Sequence, residues 1–169
     1  QKQWSHELQL IGHTSKVDWV GGLFYFREKA YLNSPTIYGQ VSTPGVEIPI
    51  TNPGSYGLGD LLRVLNRSFA AYAHANVHLG DRVELGGGIR YSKDKRMEDD
   101  LQLAPRTPPR GKYTASQGRV DYDATLKYTF AENSNVYAKF ATGFVSGGIF
   151  KGVEFKPETV KSYEIGLKS

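Results

Sequence analysis

The stretch Phe69-Ala70-Ala71-Tyr72-Ala73-His74-Ala75-Asn76-Val77-His78-Leu79, followed by Gly80-Asp81 and then Arg82-Val83-Glu84-Leu85-Gly86-Gly87-Gly88-Ile89-Arg90-Tyr91, decides the fold. Every odd position from Phe69 to Leu79 is apolar, whereas the even positions carry Tyr72, His74, Asn76 and His78. A period of two is the signature of a strand, whose successive side chains point to opposite faces. Gly80-Asp81 is a turn signal. Beyond it Val83, Leu85, Gly87, Ile89 and Tyr91 share one side, and Arg82, Glu84, Gly86, Gly88, Arg90, Ser92, Asp94 and Arg96 share the other. The two halves predict one long β-hairpin.

The same rhythm runs outward in both directions. From Gly118 to Phe130, Val120, Tyr122, Ala124, Leu126 and Tyr128 alternate with Asp121, Asp123, Thr125, Lys127 and Thr129. After a turn at 131–134, Val136, Ala138, Phe140 and Phe144 oppose Tyr137, Lys139, Ala141 and Gly143. Tyr163, Ile165 and Leu167 oppose Ser162, Glu164, Gly166 and Lys168, and near the start Leu8 and Leu10 oppose Glu7 and Gln9. A turn near Ser15-Lys16 leads into a strand from Val17 to Lys29. About seven strands are predicted, most longer than the usual five or six residues. Their connections alternate in length: short near 14–17, 80–81 and 131–134, long over about 32–66, 97–117 and 148–158. Within the first long connection, Asp60 to Leu65 reads either as one helical turn capped by Asp60 or as the start of the next strand.

Composition narrows the classes. The 169 residues carry 21 Lys plus Arg against 17 Asp plus Glu, a net charge of +4. That is too mild for the basic stripe of a nucleic-acid surface, so no nucleic-acid partner is expected. The lack of cysteine excludes a disulfide scaffold, a Cys-ligated zinc site and thiol catalysis. The longest apolar run, Val20 to Phe26, falls far short of the ~18 residues of a membrane helix. Gln1-Lys2-Gln3-Trp4 does not open a secretory signal. With 19 Gly, 11 Tyr and 8 Phe, the pattern is that of an all-β chain, an antiparallel up-and-down transmembrane β-barrel segment. Strands of about 12–15 residues exceed the ~9–11 that cross a bilayer. Trp4, Trp19, Tyr91, Tyr128, Phe130, Phe144 and Tyr163 gather toward strand ends, as in interfacial girdles. Soluble sandwiches alternate as well. A soluble all-β glycan-binding module, with Trp4, Trp19 and loop tyrosines as stacking platforms, and a passive porin-like channel therefore remain open at this point.

Four segments add a resemblance. Ser5-His6-Glu7-Leu8-Gln9-Leu10 with Asp18-Trp19-Val20-Gly21-Gly22-Leu23-Phe24-Tyr25-Phe26, Leu79 to Asp94 around Gly88-Ile89-Arg90-Tyr91, Val136-Tyr137-Ala138 to Gly143-Phe144-Val145-Ser146-Gly147-Gly148, and Pro157-Glu158 to Tyr163-Glu164-Ile165-Gly166 resemble the barrel strands of TonB-dependent outer-membrane receptors, in order and spacing. Val145 stands where that family usually has a basic residue. The resemblance implies a receptor in the Gram-negative cell outer membrane, surrounded by outer-membrane lipid. It would import a ferric siderophore or a similar scarce nutrient, energised by TonB through a plug domain. It implies no covalent chemistry and no cofactor. Such receptors carry a plug and a barrel of about 22 strands. Neither a plug nor a TonB box is found here, so residues 1–169 are expected to be part of a longer barrel wall.

Candidate site residues follow from the faces. Arg82, Glu84, Arg90, Asp121, Asp123 and Lys127 are expected to face the lumen, in contact with the plug and with water. Gly86-Gly87-Gly88 within a strand points to a bend or to the close approach of another backbone. Arg106, Arg110, Lys112 and Tyr113, in a long loop, are candidates for contact with an anionic ligand such as a ferric chelate, although basic loop residues also serve solubility alone. His74 and His78 lie about 13 Å apart at ~3.3 Å per residue and cannot share a metal, and His6 and His13 have no acidic cluster nearby in sequence. Glu98-Asp99-Asp100 reads as a solvated loop. No metal site and no catalytic set are expected.

Overall fold

The structure, a computed structural model, describes residues 1–35, 59–100, 111–150 and 153–169. Seven strands form one antiparallel sheet: β1 (Lys2–His13), β2 (Val17–Pro35), β3 (Gly59–Leu79), β4 (Val83–Asp100), β5 (Gly111–Ala131), β6 (Ser134–Val145) and β9 (Glu158–Lys168). They lie in sequence order, each hydrogen-bonded to the next. Between β6 and β9 a small hairpin, β7 (Gly148–Phe150) and β8 (Val153–Phe155), forms its own two-stranded sheet. No described residue is helical.

The turns explain the register. At the β3–β4 turn Gly80 takes φ +67°, where a Cβ is disfavoured. Between β1 and β2 the Thr14 amide donates to the Val17 carbonyl at 2.9 Å, and the Thr14 hydroxyl accepts from the Val17 amide at 2.9 Å. The registers Val77↔Leu85 and Leu85↔Leu126 then bring the apolar parity of one strand opposite that of the next. A register shift between Thr129 and Ala131 marks a bulge at the end of β5.

The two faces differ in exposure. Along β5 the apolar positions stand open while Asp121, Asp123, Thr125 and Lys127 are half-buried by one another and their neighbours. Leu8, Ile89, Tyr122 and Ile165 are all more than half exposed, and no described residue forms a second sheet over them. On that open face Tyr122, Phe140 and Tyr163 make a ladder across β5, β6 and β9, with ring centroids 5.7 and 5.0 Å apart. Trp4 and Tyr25 meet at 5.0 Å across β1 and β2.

Strands reach further than the alternation in sequence indicates. Residues 59–66 and 32–35 extend β3 and β2, with Leu32 opposite Leu62 and Pro35 opposite Gly59, so Asp60 to Leu65 is strand and not a helical turn. Likewise 97–100 and 111–117 belong to β4 and β5. Glu98 is therefore no solvated loop residue: it lies in β4 and is 1% exposed. The physical reason is visible at Arg27, Arg67 and Lys95. Above these positions the apolar face carries charge, the two faces no longer contrast, and the ladder continues without a period to announce it. The third long connection is folded too. The Ser146 hydroxyl donates to Asp94 at 2.7 Å and the Gly147 amide to the Gln117 side chain at 2.8 Å. These bonds seat β7 against β4 and β5, with Ile149 buried.

Candidate functional site

The polar face is a set of short cross-strand chains. Near the short turns, His13 contacts Asp18, Asp18 meets His78 at 2.8 Å, His78 lies 3.6 Å from Glu84, and Lys127 donates to Glu84 at 2.8 Å. This line of alternating basic and acidic residues crosses five strands. Further along, His74 meets Asp123 at 3.4 Å, Arg119 donates to Asp121 at 2.8 Å, and the Thr142 hydroxyl reaches Asp121 at 3.3 Å. Arg90 donates to Ser92 at 3.0 Å and stacks over both Phe24 and Tyr72 at 5.8 Å. Tyr72, His74, Arg90, Asp121, Asp123 and Lys139 line an open groove of about 480 Å³.

Glycine creates room for this network. The Tyr72 ring lies over Gly22 of β2, so its hydroxyl can donate to Glu7 at 2.6 Å and accept from Gln9 at 2.7 Å on β1, two strands away. Tyr137 lies over Gly166 in the same way and donates to Glu164 at 2.6 Å. In the Gly86-Gly87-Gly88 run, a Cβ on Gly86 would meet the Asn76 side chain, and one on Gly88 would meet Asp123 and His74. The run serves leaning side chains of β3 and β5, where the sequence points to a bend or an approaching backbone.

Among the sequence candidates, Glu84, Arg90, Asp121, Asp123 and Lys127 share the polar face; Glu84 and Lys127 pair with each other, and Arg90, Asp121 and Asp123 pair with Ser92, Arg119 and His74. Arg82 sits in the β3–β4 turn, where its carbonyl accepts from the Thr129 amide at 2.7 Å. Arg106 and Arg110 lie outside the described residues. Lys112 and Tyr113 belong to β5, not to a loop, and alternate: Lys112 falls on the face that carries Leu126, Tyr113 on the face that carries Lys127. Their side chains leave opposite faces of β5, while both residues line one groove beside Arg63 and Asp99. No group of His, Asp and Glu among the described residues could hold a metal ion. Sequence reading missed the carboxylate partners of the histidines. His13 lies next to Asp18 across the hairpin and His74 next to Asp123 across Gly88, pairings that only the register discloses. Among the described residues, Arg96 Nε and both carboxylate oxygens of Glu98 are buried without hydrogen bonds. Where the strands project past the apolar band, Lys29 lies 5.2 Å over the Tyr31 ring, and its hydrogen bond to the phenol, more than its charge, lowers the Tyr31 pKa.

A family model described as "TonB dependent receptor-like, beta-barrel" matches residues 1–169. The chain belongs to the TonB-dependent receptor β-barrel family. The pesticin receptors of Yersinia enterocolitica and Yersinia pestis are 25% identical to this receptor segment over 99% of its length. The segment spans about a quarter of those relatives, 24%. The crystal structure of the ferric yersiniabactin uptake receptor FyuA from Yersinia pestis superposes on it with a TM-score of 0.77, at 24% identity, over 98% of this chain and 25% of FyuA. The siderophore receptor PiuA from Acinetobacter baumannii gives 0.65, at 19% identity, over 98% and 28%. These likenesses establish the barrel fold of the segment.

Proposed function

We propose that this chain is part of the wall of an outer-membrane receptor that imports a ferric siderophore or a similar scarce nutrient, energised by TonB through a plug. The observation that carries the reading is the contrast between the faces within this fold. An open apolar band with aromatic ladders suits hydrocarbon, and a face of ion-paired rows suits a hydrated lumen against a plug. Glu84, Arg90, Asp121, Asp123 and Lys127 are the lumen wall in this reading, with Arg82 at its periplasmic rim. The upper strand ends and the connection carrying Arg106 and Arg110 form part of the ligand-capturing mouth, with Tyr113 beneath them on the lumen side. The receptors of the relatives' names take up ferric yersiniabactin or bind pesticin, which makes an iron chelate the first ligand class to test. Cells expressing the complete protein that carries these residues should accumulate ⁵⁵Fe from one member of a ferric-siderophore panel. Accumulation should vanish on deletion of TonB while surface binding persists. Uptake that survives the deletion would mark a passive channel instead.

A further inference from the structure

The apolar face ends in a repeated step. On five strands an aromatic is followed by a cation two positions nearer the long connections, on the same face: Tyr25 then Arg27 on β2, Phe69 then Arg67 on β3, Tyr91 then Lys93 on β4. The same step gives Trp4 then Lys2 on β1, and Tyr163 then Lys161 on β9. The register also places Arg27 opposite Arg67 and Arg67 opposite Lys95, three cations in one row across three strands. Neighbouring strands are ~4.8 Å apart and like charges directly opposite destabilise a sheet. No carboxylate pairs with any of the three among the described residues. Just above the row is a groove of about 260 Å³, with Leu65 and Met97 in its lining and Arg27, Lys29, Arg63 and Lys112 around it. Of the two carboxylate residues in its lining, Asp99 is already bonded to Arg63, and Glu98 belongs to the opposite face of β4. At the short-turn end the same face finishes with Val17, Leu79, Val83, Tyr128 and Leu167 and carries no cation on a described strand residue. A net charge of +4 conceals this segregation: most acids face inward, and cations collect at one outer rim.

We propose that this rim binds the phosphate-bearing headgroups of outer-leaflet lipid, with Arg27, Arg67 and Lys95 sharing one polyanionic headgroup and Tyr25, Phe69 and Tyr91 below them meeting the root of its chains. The inference rests on the reading of the apolar face as lipid-facing. Phosphate supplies the negative charge that the row lacks, and both guanidinium and ammonium groups donate to its oxygens. The aromatic two residues below each cation stands at the headgroup boundary, where amphipathic rings settle.

The test uses the complete protein carrying these residues, in a neutral detergent, with dioleoyl phosphatidic acid, dioleoyl phosphatidylcholine and inorganic phosphate as probes followed by native mass spectrometry. The protein should retain phosphatidic acid at least tenfold more tightly than phosphatidylcholine. The triple variant Arg27→Gln, Arg67→Gln, Lys95→Gln should lose that preference, and Arg27→Lys with Arg67→Lys should keep most of it. Equal retention of phosphatidic acid by the triple variant would overturn the site. Displacement of the lipid by equimolar inorganic phosphate would also overturn it, by showing a free-anion site. Fluorescence quenching of Trp19 by brominated phosphatidylcholine separates the two levels. With Trp19 quenched and the triple variant unchanged, only the headgroup site fails. With Trp19 unquenched, the lipid-facing reading fails and takes the site with it.

Discussion

At the scale of single residues, the wall depends on glycines that receive a neighbour's ring. A Cβ on Gly22 would lie 2.6 Å from the Tyr72 ring, whereas one on Gly21 would meet only the Tyr72 carbonyl oxygen at 3.7 Å, an ordinary contact. Gly22→Ala must therefore push Tyr72 off β2 and break its bonds to Glu7 and Gln9. Overpacking of this kind costs ~1–3 kcal/mol, and a surface change without such a clash stays within ~0.5 kcal/mol. The expected result is a clearly lowered urea midpoint for Gly22→Ala in the detergent-folded protein, with Gly21→Ala close to the parent. Equal midpoints for the two would remove Tyr72 from its seat. The sequence discloses that Gly22 and Tyr72 lie on strands, but the seat itself is a matter of register across β2 and β3 and has no local signal. The same holds for His13, whose partner Asp18 is five residues away and becomes a neighbour only when the hairpin closes.

At the scale of elements, each strand carries two faces with different tolerances. Leu85 sits in the row Val77, Leu85, Leu126 on the open apolar face, and Glu84 beside it meets Lys127 and His78 on the other. Leu85→Arg, one pleat inside the turn edge of the apolar band, should cost ~1–3 kcal/mol, between the ~0–1 of an interface and the ~2–4 of the midplane. Glu84→Gln removes one partly exposed ion pair and should cost no more than ~1 kcal/mol. Heat-modified gel mobility of the folded barrel would read both; similar losses in the two variants would contradict the assignment of faces. Most strand centres are legible in sequence for the same reason, since Phe69–Leu79, Val83–Tyr91 and Val120–Phe130 must alternate to keep one face apolar. The upper ends are not legible. Above Arg27, Arg67 and Lys95 both faces carry polar residues, so 59–66, 97–100 and 111–117 look like loop and yet continue the ladder. The β7–β8 hairpin escapes detection for a different reason: three-residue strands are too short to show a period.

At the scale of the whole molecule, the apolar band is placed asymmetrically along the strands, and in the proposed receptor that asymmetry predicts an orientation. On β4 the band starts at Val83, directly after the turn, and ends at Tyr91, whereas the strand continues to Asp100. Val83 to Tyr91 spans ~26 Å at ~3.3 Å per residue, about the height of an outer-membrane apolar band before tilt is considered. In the proposed receptor the Gly80-Asp81 turn would therefore lie close to one membrane surface, with Ser92 to Asp100 well clear of the other. β3 and β5 repeat the arrangement: Arg67 and Arg63 lie past Phe69, and Thr114 and Lys112 lie well past Val120. Short turns on the periplasmic side and long projections outside are the rule for outer-membrane barrels. Trypsin offers a direct test because both ends carry arginine. Added to intact cells, it should cut after Arg106 or Arg110, in the connection between β4 and β5, and leave Arg82 intact until the outer membrane is permeabilised. Mass spectrometry of the fragments distinguishes the sites. Cleavage after Arg82 in intact cells, with Arg106 and Arg110 spared, would invert the barrel; the cationic rim of Arg27, Arg67 and Lys95 would then face the periplasmic leaflet, and the mouth proposed for ligand capture would open on the wrong side.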